Sequence, residues 1–170
     1  RQADAASMLR VDQTGEYGAT RIYAGQLAVL RPNCPEAKLI ARMAAQERRH
    51  LARFDQLVAE RRVRPTALQP LWNVAGFALG AATALMSEKA ALACTDAIET
   101  EIDRHYGEQL DRLGDDDHEL AADIAEFRAE EVEHRDTARA AGATSAIGYP
   151  VLNAAIRAGC RLAIALSKRI

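Results

Sequence analysis

Aromatic residues are scarce in this chain, 5% of 170 residues with a single Trp72, and Ala is abundant in their place, a composition that favours helices. The three cysteines, Cys34, Cys94 and Cys160, are odd in number and far apart. That argues against a disulfide framework and fits small, reduced thiols in a cytosolic or matrix compartment. A formal net charge of -2 gives no basis for nucleic-acid binding. No signal or transit segment shows in these residues, though with Arg1 in first place an upstream segment is allowed for. What is present, 49% hydrophobic and 27% charged residues, suits one domain over 1-170 with a sizeable core.

The chain is organised around Glu130, Glu131, Val132, Glu133 and His134. Leu120, Ile124, Phe127, Glu131, His134, Ala138 and Ala141 step by three and four residues, which is the inward stripe of a bundle helix. A carboxylate and an imidazole stand where apolar side chains belong. Three apart on a helix, their Cβ atoms lie about 5–6 Å from each other and can converge on one cation. Chance supplies one Glu-x-x-His in roughly a third of such chains, so a single copy carries little weight. A second copy, Glu47 and His50, lies on the stripe Leu39, Met43, Glu47, His50, Phe54 and Leu57 of a helix over about Pro35 to Glu60.

Two further stripes each carry a single Glu. A helix over about Ser7 to Leu30 carries Leu9, Asp12, Glu16, Ala19, Tyr23, Leu27 and Leu30 in register; a helix over about Ser87 to Leu113 carries Ala91, Thr95, Glu99, Ile102, Tyr106, Gln109 and Leu113. Gly15 and Gly18 flank Glu16 and would each cost roughly 1 kcal/mol relative to Ala, a cost that close packing or a site at Glu16 would explain. Glu16 precedes Glu47 by 31 residues and Glu99 precedes Glu131 by 32. The chain therefore repeats: a lone Glu, then Glu-x-x-His, on two helix pairs over about 7-60 and 87-141. Joined by a long crossover, two such pairs form an all-α, ferritin-like four-helix bundle of the di-iron or di-manganese kind. Its ligands would be Glu16, Glu47, His50, Glu99, Glu131 and His134. Two divalent cations balance four carboxylates that would otherwise repel, and an oxygen-rich set with two imidazoles suits iron or manganese. Gln46, Glu130 and Asp12 are expected one layer behind the ligands.

No charged residue occurs from Pro65 to Ser87. Its apolar part, Leu71 to Met86, is shorter than the roughly 20 residues of a membrane span and rich in Ala and Gly, so a crossover helix buried in the protein or lying on lipid is expected. Gly76 and Gly80 would permit close helix approach. Gly114 and Asp115–Asp117 read as a turn and helix start, with His118 on the surface. After Gly142 a loop leads to a last helix, Val151 to about Ser167, with Leu152, Ala155, Ile156, Gly159, Leu162, Ala163 and Leu166 on one face and Arg157, Arg161 and Lys168 along the other, a pattern for a membrane interface or for packing on the bundle with a solvated basic back.

Beyond the ligand pattern, Arg10-Val-Asp-Gln-Thr-Gly-Glu-Tyr-Gly-Ala19, Arg21-Ile-Tyr-Ala-Gly-Gln26, Gln46-Glu-Arg-Arg-His-Leu51, Arg62-Val-Arg-Pro-Thr66, Leu71-Trp-Asn-Val74, Gly76-Phe-Ala-Leu-Gly80, His105-Tyr106, Phe127-Arg-Ala-Glu-Glu-Val-Glu-His134 and Ala158-Gly-Cys-Arg161 resemble the demethoxyubiquinone hydroxylases of ubiquinone biosynthesis over nearly the whole chain. The resemblance implies a monooxygenase with two iron ions, cycling between Fe2+ and Fe3+ on the six ligands above. O2 would be co-substrate, and the ring of a 2-polyprenyl-3-methyl-6-methoxy-1,4-benzoquinol would be hydroxylated. It implies NADH as a source of electrons, although no Gly-rich dinucleotide fingerprint is present. It also implies roles for His105 and Tyr106 in electron or proton transfer. The polyprenyl tail implies peripheral binding to an inner membrane, on a bacterial cytoplasmic or mitochondrial matrix face, with a lipid-presenting protein or a second copy as partner. The rival readings are a ferritin-like peroxidase or manganese catalase, iron storage, and a non-catalytic membrane-associated scaffold.

Overall fold

The computed structural model describes the backbone of residues 2–170 and the side chains of residues 5–170. It is all-α: α1 (Gln2–Val29), α2 (Pro35–Glu60), α3 (Gln69–Met86), α4 (Glu88–Leu113), α5 (His118–Ala140) and α6 (Tyr149–Ser167), with a 3-10 turn at Ala143–Ser145. Local chemistry sets the starts. Pro35 opens α2 with the Cys34 Sγ accepting from the Ala37 N–H, Ser87 Oγ accepts from Ala90 N–H to cap α4, and Asp117 Oδ1 accepts from Leu120 N–H to cap α5. The first helix begins earlier than its apolar stripe predicts, and α6 begins at Tyr149, where Gly148 supplies a left-handed φ of 71°.

Short turns fold α1 onto α2 and α4 onto α5, and the crossover α3 packs on α1 and α4. The Gly-x-x-x-Gly expectation holds: a Cβ on Gly80 would lie 1.9 Å from the Ile22 carbonyl oxygen, and one on Gly25 would lie 2.1 Å from that of Phe77, so α1 and α3 meet backbone to backbone. Gly15 and Gly18 differ. Nothing lies within 4 Å of a Cβ at either position, so close packing does not explain them.

Helix α6 lies on α4, and its arginines, still partly in solvent, are ion-paired to that helix. Arg157 and Arg161 both reach the buried Glu101 of α4, at 2.6 and 2.9 Å, where Arg104 joins them. Burial alone would raise the Glu101 carboxyl, but Arg161, Arg157 and Arg104 hold it down at about 2.

The apolar core is in two parts. One, rich in Ala and Ile, includes Ala19, Ile22, Ile40, Ala91 and Ala97; the other holds Leu9, Phe54, Leu57, Leu120 and Phe127. In sequence a layer of buried Glu and His separates them on every helix of the two pairs.

Candidate metal centre

Each helix of the two pairs brings its polar stripe residue to this layer. Glu16 from α1, Glu47 and His50 from α2, Glu99 from α4, and Glu131 and His134 from α5 are all at most 2% exposed. They converge as two overlapping groups, Glu16, Glu47, His50 and Glu131 on one side and Glu47, Glu99, Glu131 and His134 on the other. Within each group the ligating atoms lie within 4.8 Å of one another, and Glu47 and Glu131 belong to both. His50 Nδ1 lies 2.9 Å from Glu131 and 3.5 Å from Glu16; His134 Nδ1 lies 3.1 Å from Glu47 and 3.3 Å from Glu131.

The atoms that face inward are those left without a hydrogen bond: Glu16 Oε2, Glu99 Oε2, both oxygens of Glu47 and of Glu131, and Nδ1 of both imidazoles. Buried polar atoms are normally paired, and an unpaired one costs about 1–3 kcal/mol. Here they converge as lone pairs on two points, the donor set that two divalent cations would satisfy. Without cations, burial and mutual repulsion push Glu47 and Glu131 well above the usual carboxylate range. Burial acts on Glu99 in the same sense, but His134, Glu131 and Tyr23 hold it below that range. Burial lowers His50, and the carboxylates around it, Glu16, Glu47 and Glu130, outweigh that and carry it to about 9.

Outer contacts fix these groups. Tyr106 donates its hydroxyl to Glu16, and Tyr23 donates to Glu99. Burial, then the charge of the accepting carboxylate, pushes both phenols well above their ordinary value, so both keep their protons. His50 Nε2 meets Glu130 at 2.7 Å and His134 Nε2 meets Gln46 at 2.8 Å, so Glu130 and Gln46 stand behind the two imidazoles as expected. Phe127 stacks on the His50 ring at 4.1 Å. Asp12 is different: its hydrogen-bond partners are Gln109, from which it accepts at 2.7 Å, and His105 at 3.3 Å, and burial raises its carboxyl. Tyr106 thus contacts a candidate ligand directly, while His105 stands one step away. Tyr23, a residue that pattern reading treats as core, is the counterpart of Tyr106. The repeat held the signal, since each tyrosine lies seven residues after a lone Glu.

A cavity of about 580 Å³ opens beside the layer, between α1, α3, α4 and α6. Gly15, Gly18, Ile98 and Ile102 form its inner wall, next to Glu16 and Glu99 in sequence, and Trp72, Leu79, Leu152 and Leu162 form its outer walls. The missing side chains at positions 15 and 18 are therefore space in this cavity.

Residues 3–167 match the family model described as ubiquinone biosynthesis protein COQ7. Over 162 residues the chain is 60% identical to the 3-demethoxyubiquinol 3-hydroxylase of Rhodospirillum rubrum, covering 95% of this chain and 76% of that protein. It is 49% identical over 167 residues to the human NADPH-dependent 3-demethoxyubiquinone 3-hydroxylase, mitochondrial, covering 96% and 76%. To the 5-demethoxyubiquinone hydroxylase, mitochondrial, of Saccharomyces cerevisiae it is 41% identical over 179 residues, covering 96% and 77%. The relatives are thus named as hydroxylases, and the human name specifies NADPH where the resemblance implies NADH. With a match that takes in both helix pairs, the crossover and all six buried Glu and His residues, the chain belongs to the COQ7 family of ubiquinone biosynthesis proteins.

Proposed function

We propose that this protein is an O2-dependent monooxygenase that hydroxylates the ring of a 2-polyprenyl-3-methyl-6-methoxy-1,4-benzoquinol, with two iron ions held by Glu16, Glu47, His50, Glu99, Glu131 and His134. The observation that carries the reading is the coincidence of two features: inward lone pairs without hydrogen bonds, and an apolar cavity of about 580 Å³ against the same two helices. One position would be held by Glu16 and His50, the other by Glu99 and His134, with Glu47 and Glu131 shared. When bound, the iron ions supply the redox chemistry by which one oxygen atom of O2 enters the ring and the other leaves as water, with two further electrons per turnover.

The protein's part is to hold and orient. Tyr106 and Tyr23 keep Glu16 and Glu99 aimed inward and hold protons at their hydroxyl oxygens, next to the site where water must form. His105 and Asp12 extend the hydrogen-bonded cluster beside Tyr106 toward the outer end of α1. Apolar walls seat the ring and the start of the tail and keep bulk water out. The two electrons come from NADH or NADPH, the latter in keeping with the mammalian relatives' names.

Leu71, Val74, Leu85 and Met86 of α3, Ile147 before α6 and Val151 and Leu162 of α6 are exposed large apolar residues around the helices that wall the cavity. No helix among the described residues is long and apolar enough to cross a membrane. These residues suit a surface lying on an inner membrane, on its cytoplasmic or matrix face, where a polyprenyl tail can enter sideways. A lipid-presenting protein or a second copy could cover the same face.

The test is the iron and manganese content of anaerobically purified protein, then a single turnover with the reduced substrate and 18O2. About two irons per chain and one labelled oxygen in the product are expected. Protein that binds no metal, or that holds two irons and leaves the quinol unchanged in the presence of vesicles and reductant, would count against the assignment. Flotation with anionic vesicles tests the surface: protein that stays in the aqueous fraction refutes it.

A further inference from the structure

Among the described residues, four hydrogen bonds reach the six inward residues from outside, and they form two pairs across the internal repeat. In the first pair the partners are identical: Tyr106 serves Glu16 and Tyr23 serves Glu99. In the second they are not. His50 Nε2 donates to the carboxylate of Glu130, whereas His134 Nε2 donates to the amide oxygen of Gln46. Both partners occupy the same place in the repeat, one residue before the Glu of a Glu-x-x-His.

Glu130 is a carboxylate paired with the Arg49 guanidinium as well as with His50, whereas Gln46 offers His134 the oxygen of a neutral amide. Arg49 takes its Oε1 and leaves Oε2 to the imidazole. A hydrogen bond to an ionised acceptor is roughly twice as strong as one to a neutral amide. It withdraws the Nε2 proton further and makes the inward Nδ1 of His50 a better electron donor than that of His134.

We propose that Glu130 and Gln46 make the two metal positions unequal, so that the position at Glu16 and His50 takes its divalent cation first and more tightly, and the position at Glu99 and His134 second. The inference rests on the reading of this layer as a two-metal site. Glu130 and Gln46 act through the imidazoles as positioning residues. Because both positions share Glu47 and Glu131, repulsion between cations would separate the two binding steps in any case. What distinguishes the proposal is which residue governs which step, and where the first cation sits.

Mn2+ is the probe, added anaerobically to the metal-free protein and followed by calorimetry and by the EPR signal of free Mn2+. Glu130→Gln should weaken the first step by about 10–100-fold, the usual effect of losing such a partner. Gln46→Glu should strengthen binding at the His134 position. In crystals of the wild type soaked at less than one equivalent, anomalous scattering should place manganese beside Glu16 and His50. In the double exchange Glu130→Gln/Gln46→Glu it should move to Glu99 and His134, which a merely structural role would not produce. Equal occupancy of both positions in the wild type, or a first manganese at His134, overturns the proposal. Wild type that binds no manganese or iron at all overturns the two-metal reading itself, and this proposal with it; that wild-type result stands whatever the folding of the variants, which circular dichroism checks.

Discussion

Tyr23 on α1 donates its hydroxyl to Glu99 on α4, and the same bond runs the other way from Tyr106 on α4 to Glu16 on α1. Each half of the repeat therefore holds the carboxylate of the other. Replacing either tyrosine by Phe keeps the ring in its packed place and removes one donor. For Tyr106→Phe and Tyr23→Phe we expect a loss of about 1 kcal/mol in stability, metal content unchanged, and slower turnover. Metal analysis beside single-turnover rates checks this. An unchanged rate in Tyr106→Phe would remove the proton-holding role.

The layer of buried Glu and His was legible in the sequence because a charged side chain in an apolar stripe conflicts with burial unless something pairs it, and the conflict recurs at Glu16, Glu47, Glu99 and Glu131. The stripe also predicted which side of α1, α2, α4 and α5 faces inward, and the starts of α2, α4 and α5 followed from Pro35, Ser87 and Asp117. Other features left no local trace. Arg157 and Arg161 look like a solvent face on α6, and only the packing of α6 on α4 brings them to Glu101, 56 and 60 residues away. Asp12 shares a stripe with Glu16, yet its partners, His105 and Gln109, come from another helix. The empty space at Gly15 and Gly18 depends on α3 and α6 standing off from α1, which no pattern on α1 encodes.

Glu101 fastens the helix that closes the cavity. Its side chain is fully buried while Arg104, Arg157 and Arg161 remain partly in solvent. Holding the carboxyl down at about 2, well below its ordinary value, corresponds to about 3 kcal/mol. Solvent screening of the arginines reduces this to about 2 kcal/mol. Glu101→Gln should lose that much at pH 7 in urea unfolding and speed hydrogen exchange in α6 ahead of α2 and α5. Equal protection of α6 in both proteins would show that Glu101 does not fasten it.

Asp117 gives a pH signature. Its carboxyl is held below the ordinary value by Arg61 and then by the Leu120 N–H, so it contributes stability above an unfolded value of about 4 and loses it as pH falls below that. Asn caps a helix as well as Asp does, so Asp117→Asn isolates the charge. The wild type should be more stable by about 1 kcal/mol at pH 7, and the gap should close between about pH 5 and pH 2. A gap that stays constant across that range would assign the effect to shape and not to charge.

Two glycine replacements should act in opposite directions. A Cβ at position 80 would meet the Ile22 carbonyl at 1.9 Å, and backbone cannot yield as a side chain can. Gly80→Ala must lift α3 from α1, at a cost of about 1–3 kcal/mol, the range for overpacking. At position 15 there is open space, so Gly15→Ala should stabilise α1 by about 0.5–1 kcal/mol through helix propensity. That methyl group would project into the cavity beside Glu16. Thermal unfolding should therefore rank Gly15→Ala above the wild type and Gly80→Ala below it, while Gly15→Ala raises KM for the quinol and leaves metal content unchanged. A more stable Gly15→Ala with unaltered KM would mean that the substrate ring does not use this part of the cavity, and would direct the search to its outer half between Trp72 and Leu162.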